Sequence, residues 1–354
     1  MKKILLIPLS LIFRLGVFFR NFLYNSGIFK AKVLEPKIIS VGNISAGGTG
    51  KTPFVELITE YLLKKNKFAV VVSKGYKREF DDIKVVETGF TNEKHELNTE
   101  NLGDEALMLL ENLSNAGLEG GLLVVGDDKT KTAKFAASKF KPEIIIIDDG
   151  FQHRKLYRDL DIVILNPDSD KFMLPAGNLR EPLKNYRRAD LLVINNKFIK
   201  NPVNENRKNM PQVICSYVFE GFKNIEGKTL PVEEIKSATV YCGIGEPESF
   251  KLLLKELNIQ IDEFIPFPDH HNFTNDELEG LMAAFTGNGS SHILTTQKDF
   301  VRLKNSELVL KAKSSNTYKN LLFNFPLYFA KIKMQIDNNG EYLFKEIDNL
   351  LKSE

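Results

Sequence analysis

Tryptophan is absent from the 354 residues, and cysteine occurs only twice. Cys215 and Cys242 are too few and too far apart to frame a disulfide scaffold or a cysteine-based zinc site; they suit a reducing compartment and belong in the core. The five histidines, His95, His153, His270, His271 and His292, lack HExxH-type spacing, so they suggest no metal centre. Charge of one sign is missing too. Forty-eight Lys and Arg stand against 46 Asp and Glu, a net +2 that gives no reason to expect a nucleic-acid partner. Nor does the start of the chain supply a long apolar run: the uncharged stretch from Ile4 to Phe13 is about half of the roughly 20 residues a bilayer-spanning helix needs.

What is present is globular. Hydrophobic residues make up 43% of the chain, which excludes disorder and collagen-like fibres, and no repeat or low-complexity tract interrupts it. At roughly 100–200 residues per domain the length fits two domains, each with its own core. The first 30 residues start with Lys2-Lys3 and look like a secretory signal, but they lack a small-x-small cleavage site and are interrupted by Arg14 and Arg20. On a helical wheel Lys3, Ser10, Arg14, Asn21 and Asn25 share one side, and Leu, Ile and Phe fill most of the rest. This pattern predicts a basic amphipathic helix over 1–30 lying on an anionic membrane surface, peripheral or monotopic rather than spanning, with Lys30, Lys32 and Lys37 following. The alternative is an N-terminal helix packed on the protein's own core.

From Ile38 onward short aliphatic runs alternate with helical patterns. Strands are expected at 38–41, 69–73, 122–125, 144–147, 162–165 and 191–194, and helices at 53–65 and 104–113. Continuous aliphatic strands are those covered on both faces, so the fold expected is α/β with a mostly parallel sheet flanked by helices. The polar stretch 195–207 marks a boundary, giving a first domain over 31–198 and a smaller α/β domain over 199–354. In the second, strands are expected at 212–219, 239–242, 259–264, 292–295 and 327–336, and helices at 248–257 and 276–285.

The strongest local signal is SVGNISAGGTGKTPF, residues 40–54. Gly47, Gly48 and Gly50 permit a tight loop, Ser45 to Thr52 including Ala46 and Thr49, whose backbone N–H groups face phosphate oxygens. Lys51 can reach the β- and γ-phosphates, and Thr52 offers a hydroxyl to Mg²⁺. The flanks agree: a strand precedes the loop and a helix opens at Pro53, although Ser45 stands where the full pattern has glycine. Later, PEIIIIDDGFQHR runs a buried strand into Asp148-Asp149, where carboxylates beside such a loop can hold Mg²⁺ or its waters. These features predict a P-loop nucleotide site but do not separate kinases from switches or motors. A GTPase is disfavoured, because neither Thr296-Gln297-Lys298-Asp299 nor Asn196-Lys197-Phe198-Ile199 supplies a guanine-reading segment. A kinase needs a group to receive the acceptor's proton; Asp104 in NLGDEALM and His270 in FPDHHNF are candidates, though Asp104 could be a helix cap and His270 a turn residue.

In order, VGNISAGGTGKTP, SKGYKRE, GDEA, IIIIDDGFQHRKLYRDLDIVILN, LPAGNLREPL, RADLLVINN, CGIGEPESF, FPDHHNF and TTQKDFVRL resemble the tetraacyldisaccharide 4′-kinase family of lipid A biosynthesis, over about 38–303. DDGFQHR and LPAGNLREPL are far more specific than the phosphate loop. The resemblance implies transfer of the γ-phosphate of ATP, with Mg²⁺, to the 4′-hydroxyl of a membrane-held tetraacylated glucosamine disaccharide 1-phosphate. The product is of the lipid IVA type, and the reaction takes place at the cytoplasmic face of the bacterial inner membrane with no obligatory protein partner. It implies Asp104 as catalytic carboxylate in a dyad with His270, and Lys51, Thr52, Asp148 and Asp149 on the phosphates and metal. Glu181 would be a second metal-sphere carboxylate and Arg180 a phosphate-charge stabiliser; Gln152, His153 and Arg154 lie near the metal or substrate. Departures from the usual pattern are Lys74 and Lys77 in SKGYKRE, Asn178 in LPAGNLREPL and Gln297 in TTQKD. A membrane-tethered nucleotide switch or metal-insertion chaperone, and a soluble small-metabolite kinase, share the loop but not the whole set. Closure of the second domain is expected to carry His270 to Asp104.

Overall fold

The computed structural model describes residues 5–75, 82–89, 102–166, 172–198, 210–305 and 316–352. Lys2, Lys3, Lys77, His95 and the boundary segment beyond 198 lie outside that set. After the N-terminal helix α1 (Ile7–Asn25), β1 (Lys37–Asn43) leads through the glycine loop into α2 (Lys51–Lys64), with Val55, Ile58 and Leu62 fully buried at helical spacing. The chain then forms β2 (Ala69–Ser73), β3 (Lys84–Glu87), α3 (Asp104–Asn115), β4 (Leu122–Val125), α4 (Lys129–Phe140), β5 (Ile144–Asp148), β6 (Leu160–Leu165) and β7 (Leu191–Asn195). The second set is β8 (Gln212–Lys223), β9 (Thr229–Leu230), β10 (Ser237–Cys242), α5 (Pro247–Glu256), β11 (Gln260–Pro266), α6 (Asn275–Asn288), β12 (His292–Thr296), α7 (Gln297–Lys304), α8 (Asn316–Asn324), β13 (Leu327–Asn338) and α9 (Gly340–Lys352).

All the strands join one sheet, in the order β11-β10-β12-β13-β8-β7-β6-β1-β5-β2-β4-β3, with β9 added beside β8. The pairs around β1 are parallel, and Ile144 to Ile147 of β5 are buried because helices cover both faces. β1 ends at the sheet's carboxyl edge, next to the end of β5 and therefore next to Asp148. Antiparallel pairing ties the 12-residue strands β8 and β13 together within the second set. The sheet crosses the boundary expected at 198/199 without a break, since β7 pairs β8. The chain end also returns to the first half. Tyr61 of α2 stacks on Phe344 of α9 at 4.2 Å, and Leu343 and Ile347 belong to the core beneath α2.

Helix α2 opens at Lys51, two residues before the expected start, and Gly50 caps it with φ +95°. Only glycine fits there: a Cβ would lie 2.3 Å from Asn195 Nδ2 and 2.7 Å from the Tyr217 hydroxyl. Pro53 remains compatible because the first turn has no intrahelical acceptors for its N–H groups. Helix α1 is inverted relative to an ordinary surface helix. Ser10, Val17 and Asn21 face the protein, while Ile12 is 66% and Phe18 60% exposed, with Leu11, Leu15, Phe19 and Phe22 exposed beside them. Its 19 residues are long and apolar enough, by length and composition alone, to cross a membrane.

Candidate active site

The loop between β1 and α2 is held from several sides. Ser45 bridges to Leu179, Ala46 N–H donates to Asn178 O at 2.7 Å, and Asn195 Nδ2 donates to Thr49 O at 2.9 Å. Asn43 Nδ2 donates to Thr49 Oγ1 at 2.8 Å. Gly47 and Gly50 both have positive φ, and the loop lines a cavity of about 480 Å³. Also on its wall are Ser73, Lys74, Glu105, Lys129, Asp148, Asp149, Arg180, Asp269, His270 and Lys298, with Phe198, Tyr217, Ile244, Phe250 and Ile332 forming an apolar side.

The two aspartates after β5 have different environments. Asp149, at φ +52°, accepts from Arg180 Nη1 through both carboxylate oxygens at 2.9 Å, with Lys51 Nζ at 3.7 Å and Lys129 Nζ at 4.0 Å. Burial alone would raise its pKa, but Lys51, Lys129 and Arg180 hold it well below the usual carboxylate range. Asp148 is pushed up to about 6 by burial and by the negative charge of Glu105. One of its oxygens accepts from Ser73 Oγ at 3.3 Å; Oδ1 is buried with no hydrogen-bond partner among the described residues. An orphaned carboxylate oxygen beside a phosphate loop fits a hard cation. Among the described residues no three His, Cys, Asp or Glu cluster as a metal site.

Asp104 and His270, 166 positions apart, meet: His270 Nδ1 and Asp104 Oδ2 are 2.9 Å apart. Gly103, at φ +84°, caps α3 and turns the chain so that Asp104 starts the helix; the Asp104 side chain makes no cap bond to the following turn beyond Glu105 N–H. Burial would raise the Asp104 pKa, but the His270 hydrogen bond and the charges of Lys298 and Arg302 hold it well below the usual range.

The remaining expected site residues lie elsewhere. Glu181 is fully buried and does not line the cavity. Its oxygens accept from Arg20 and Asn21 of α1 at 2.9 Å, from Asn185 at 2.8 Å and from Arg188 at 2.8 Å. With all four partners in place, the carboxylate anchors α1 rather than facing a metal at the loop, which corrects the expectation of a metal ligand. Arg154 likewise bonds α1, donating to Asn25 Oδ1 at 2.8 Å and to Asn21 O at 3.2 Å. Gln152 Nε2 donates to Asn43 O at 2.7 Å and so braces the strand feeding the loop; His153 Nε2 is 2.9 Å from Thr130 Oγ1. None of these three lines the cavity.

Three residues on or beside the cavity carried no assigned role in the sequence. Lys129 donates to Asp149 O at 2.7 Å, and burial lowers its pKa. Its signal was its place at the start of a helix capped by Asp128, directly after a buried strand. Lys298 and Arg302 lie in the segment TTQKDFVRL, where only their spacing on one short helix could have been read.

A glycine loop between a parallel strand and a helix, paired carboxylates at the end of the neighbouring strand, and an Asp–His pair whose histidine lines the same cavity define a P-loop phosphotransferase. Comparison with known proteins makes this specific. The family model for tetraacyldisaccharide-1-P 4′-kinase matches residues 2–351. The tetraacyldisaccharide 4′-kinase of Aquifex aeolicus is 36% identical over 307 residues, 86% of this chain and 91% of that protein. That of Chlorobium limicola is 32% identical over 99% of this chain and 98% of its own length. The crystal structure of LpxK from Aquifex aeolicus in complex with ATP has a TM-score of 0.74 at 32% identity, covering 99% of this chain and all of that one. The chain belongs to the tetraacyldisaccharide 4′-kinase family, and its activity is ATP-dependent 4′-phosphorylation of the lipid A disaccharide precursor.

Proposed function

We propose that residues 45–52 hold the ATP phosphates, that Lys51, Lys129 and Arg180 neutralise the γ-phosphoryl group, and that the Asp104–His270 pair receives the proton of the acceptor's 4′-hydroxyl. Convergence of three cations on Asp149 carries this reading, because that much positive charge at the loop suits a polyanion. Thr52 and Asp148 would hold Mg²⁺, which would supply positive charge to offset the negative charge of the transferring phosphoryl group. The apolar wall around Phe198 and Ile244 suits the nucleoside base. The second unit, 199–354, supplies His270 and Lys298 to the site. Incubating the protein with γ-labelled ATP, Mg²⁺ and a lipid extract containing the disaccharide 1-phosphate should place label in the lipid. Label released only as free phosphate, or in a soluble product, would refute the assignment.

Helix α1 then lies on the anionic cytoplasmic face of the inner membrane, where the acylated acceptor resides. Its support is the outward apolar face together with the inward anchors Ser10, which donates to Met173 O at 2.9 Å, and Arg20 and Asn21 on Glu181. A helix tied to the body near both ends is free to press its outer face into the headgroup region. Replacing Leu11, Leu15, Phe18 and Phe22 by glutamine spares those anchors and removes buried-in-lipid area worth about 1.5–3 kcal/mol per side chain. Sedimentation with anionic liposomes is therefore expected to drop at least about tenfold while activity on detergent-dispersed acceptor persists. Unchanged sedimentation would reject the interfacial role.

A further inference from the structure

Helix α5 opens at Pro247, and Glu246 before it stands at the capping position without making a cap bond to the first turn. Its carboxylate lines the cavity instead. There Oε2 accepts from Lys197 Nζ, and Oε1 has no hydrogen-bond partner among the described residues. Lys197 lies in the turn after β7 with φ +52°. A non-glycine residue in that left-handed region carries strain that its surroundings must hold. They do so at both ends of the residue: Lys197 N–H donates to Asn195 Oδ1 at 2.9 Å, and Lys197 O accepts from Tyr217 N–H at 2.9 Å. The result is a lysine side chain only 13% exposed, paired with a glutamate that no helix cap requires.

The loop that ends at Glu246 lies directly on the phosphate loop. A Cβ at Gly245 would be 3.6 Å from Gly47 Cα, and one at Gly47 would be 3.8 Å from Glu246 Oε1. On the other side, Glu246 and Lys197 adjoin the apolar wall through Ile244 and Phe198. The cavity therefore offers three zones: a cationic loop, then a carboxylate neutralised by Lys197 with one oxygen free, then apolar side chains. ATP has the same succession of a polyanion, two neutral hydroxyls that can donate, and a flat base. A carboxylate only accepts hydrogen bonds, so Oε1 would repel the phosphate tail and gain nothing from the face of the base, whereas a ribose hydroxyl satisfies it. Acidic side chains read ribose in this way in dinucleotide-binding folds. We propose that Glu246 Oε1 accepts a hydrogen bond from the ribose hydroxyls of ATP, and that Lys197 is the positioning residue that holds the carboxylate for it. The pair thereby sets a preference for ribonucleotides. This rests on the placement of the phosphates on residues 45–52 above.

The test measures kcat/KM with ATP and with 2′,3′-dideoxy-ATP on detergent-dispersed disaccharide 1-phosphate. It compares wild type, Glu246→Gln, Glu246→Ala, Lys197→Met and the Lys197→Met/Glu246→Ala double variant. The wild type should prefer ATP about 30-fold, because loss of both hydroxyls leaves a charged acceptor without its donor. In Glu246→Ala the preference should fall to about twofold, through a higher KM for ATP rather than a lower kcat. Glu246→Gln, which keeps a neutral acceptor, should lie between. Lys197→Met should lower the preference part of the way and add almost nothing to Glu246→Ala, because it acts through that carboxylate. Equal losses with both nucleotides, as a residue that merely seats α5 on the phosphate loop would give, overturn the proposal, and so does a wild type without preference. A change confined to KM for the disaccharide assigns the carboxylate to a hydroxyl of the acceptor and overturns it too. A Lys197→Met variant that matches the wild type overturns the positioning role. ATP affinity unmoved by Lys51→Ala would instead remove the placement of the phosphates on the loop, and the proposal with it.

Discussion

Asp104→Ala is expected to lower turnover of lipid phosphorylation about 10³-fold, with ATP affinity held within about twofold. The split follows from position. Asp104 is 4% exposed, sits behind His270 rather than on the cavity wall, and makes no bond to the phosphate loop. Its removal lets the imidazole lose its orientation and Nδ1 its acceptor, which affects the chemical step alone. It also leaves Arg302 without one of its carboxylates, so some loss of stability should accompany the kinetic effect. A melting curve with and without ATP separates the two, because ATP should still raise the melting temperature of the variant. Near-normal turnover would dismiss Asp104 from the reaction.

Lys51→Ala should act differently, reducing kcat/KM for ATP about 10²-fold through both affinity and turnover. Lys51 stands at the first turn of α2 with its ammonium 3.7 Å from Asp149, beside the loop proposed to hold the ATP phosphates. The loss is expected to be smaller than for Asp104 because Lys129 and Arg180 converge on the same carboxylate and keep part of the field. Binding of a labelled ATP analogue together with steady-state rates checks this. Undiminished activity would remove the loop from nucleotide handling.

The two assignments were legible in the chain to different degrees. Lys51 was readable from its spacing to three glycines between a strand and a helix. Asp104 and His270 were candidates that a cap and a turn explained equally well, since a GDE and a DHH look locally like both, and only the resemblance paired them. Their pairing depends on β10, β12 and α7 bringing distant loops together, and no periodicity encodes that distance. The inverted α1 shows a related limit. The wheel separated Ser10 and Asn21 from the aliphatic face correctly, yet which side meets the body is set by the buried carboxylate of Glu181, given a site role by the resemblance, and by Arg154, placed near the site by its neighbours in sequence. A charged side chain's role follows its partner, and partners are chosen by packing.

Aliphatic runs and short glycine spacing, whose effects act over a few residues, were enough to specify the strands, the parallel sheet and the phosphate loop. The folded chain alone settled that one sheet crosses the expected boundary, that α9 returns to α2, that Glu181 anchors a helix, and that Arg302 and Lys298 flank the Asp104–His270 pair. Those outcomes depend on contacts between residues scores of positions apart, whose closure is fixed by the packing of the whole core rather than by any segment's own preference.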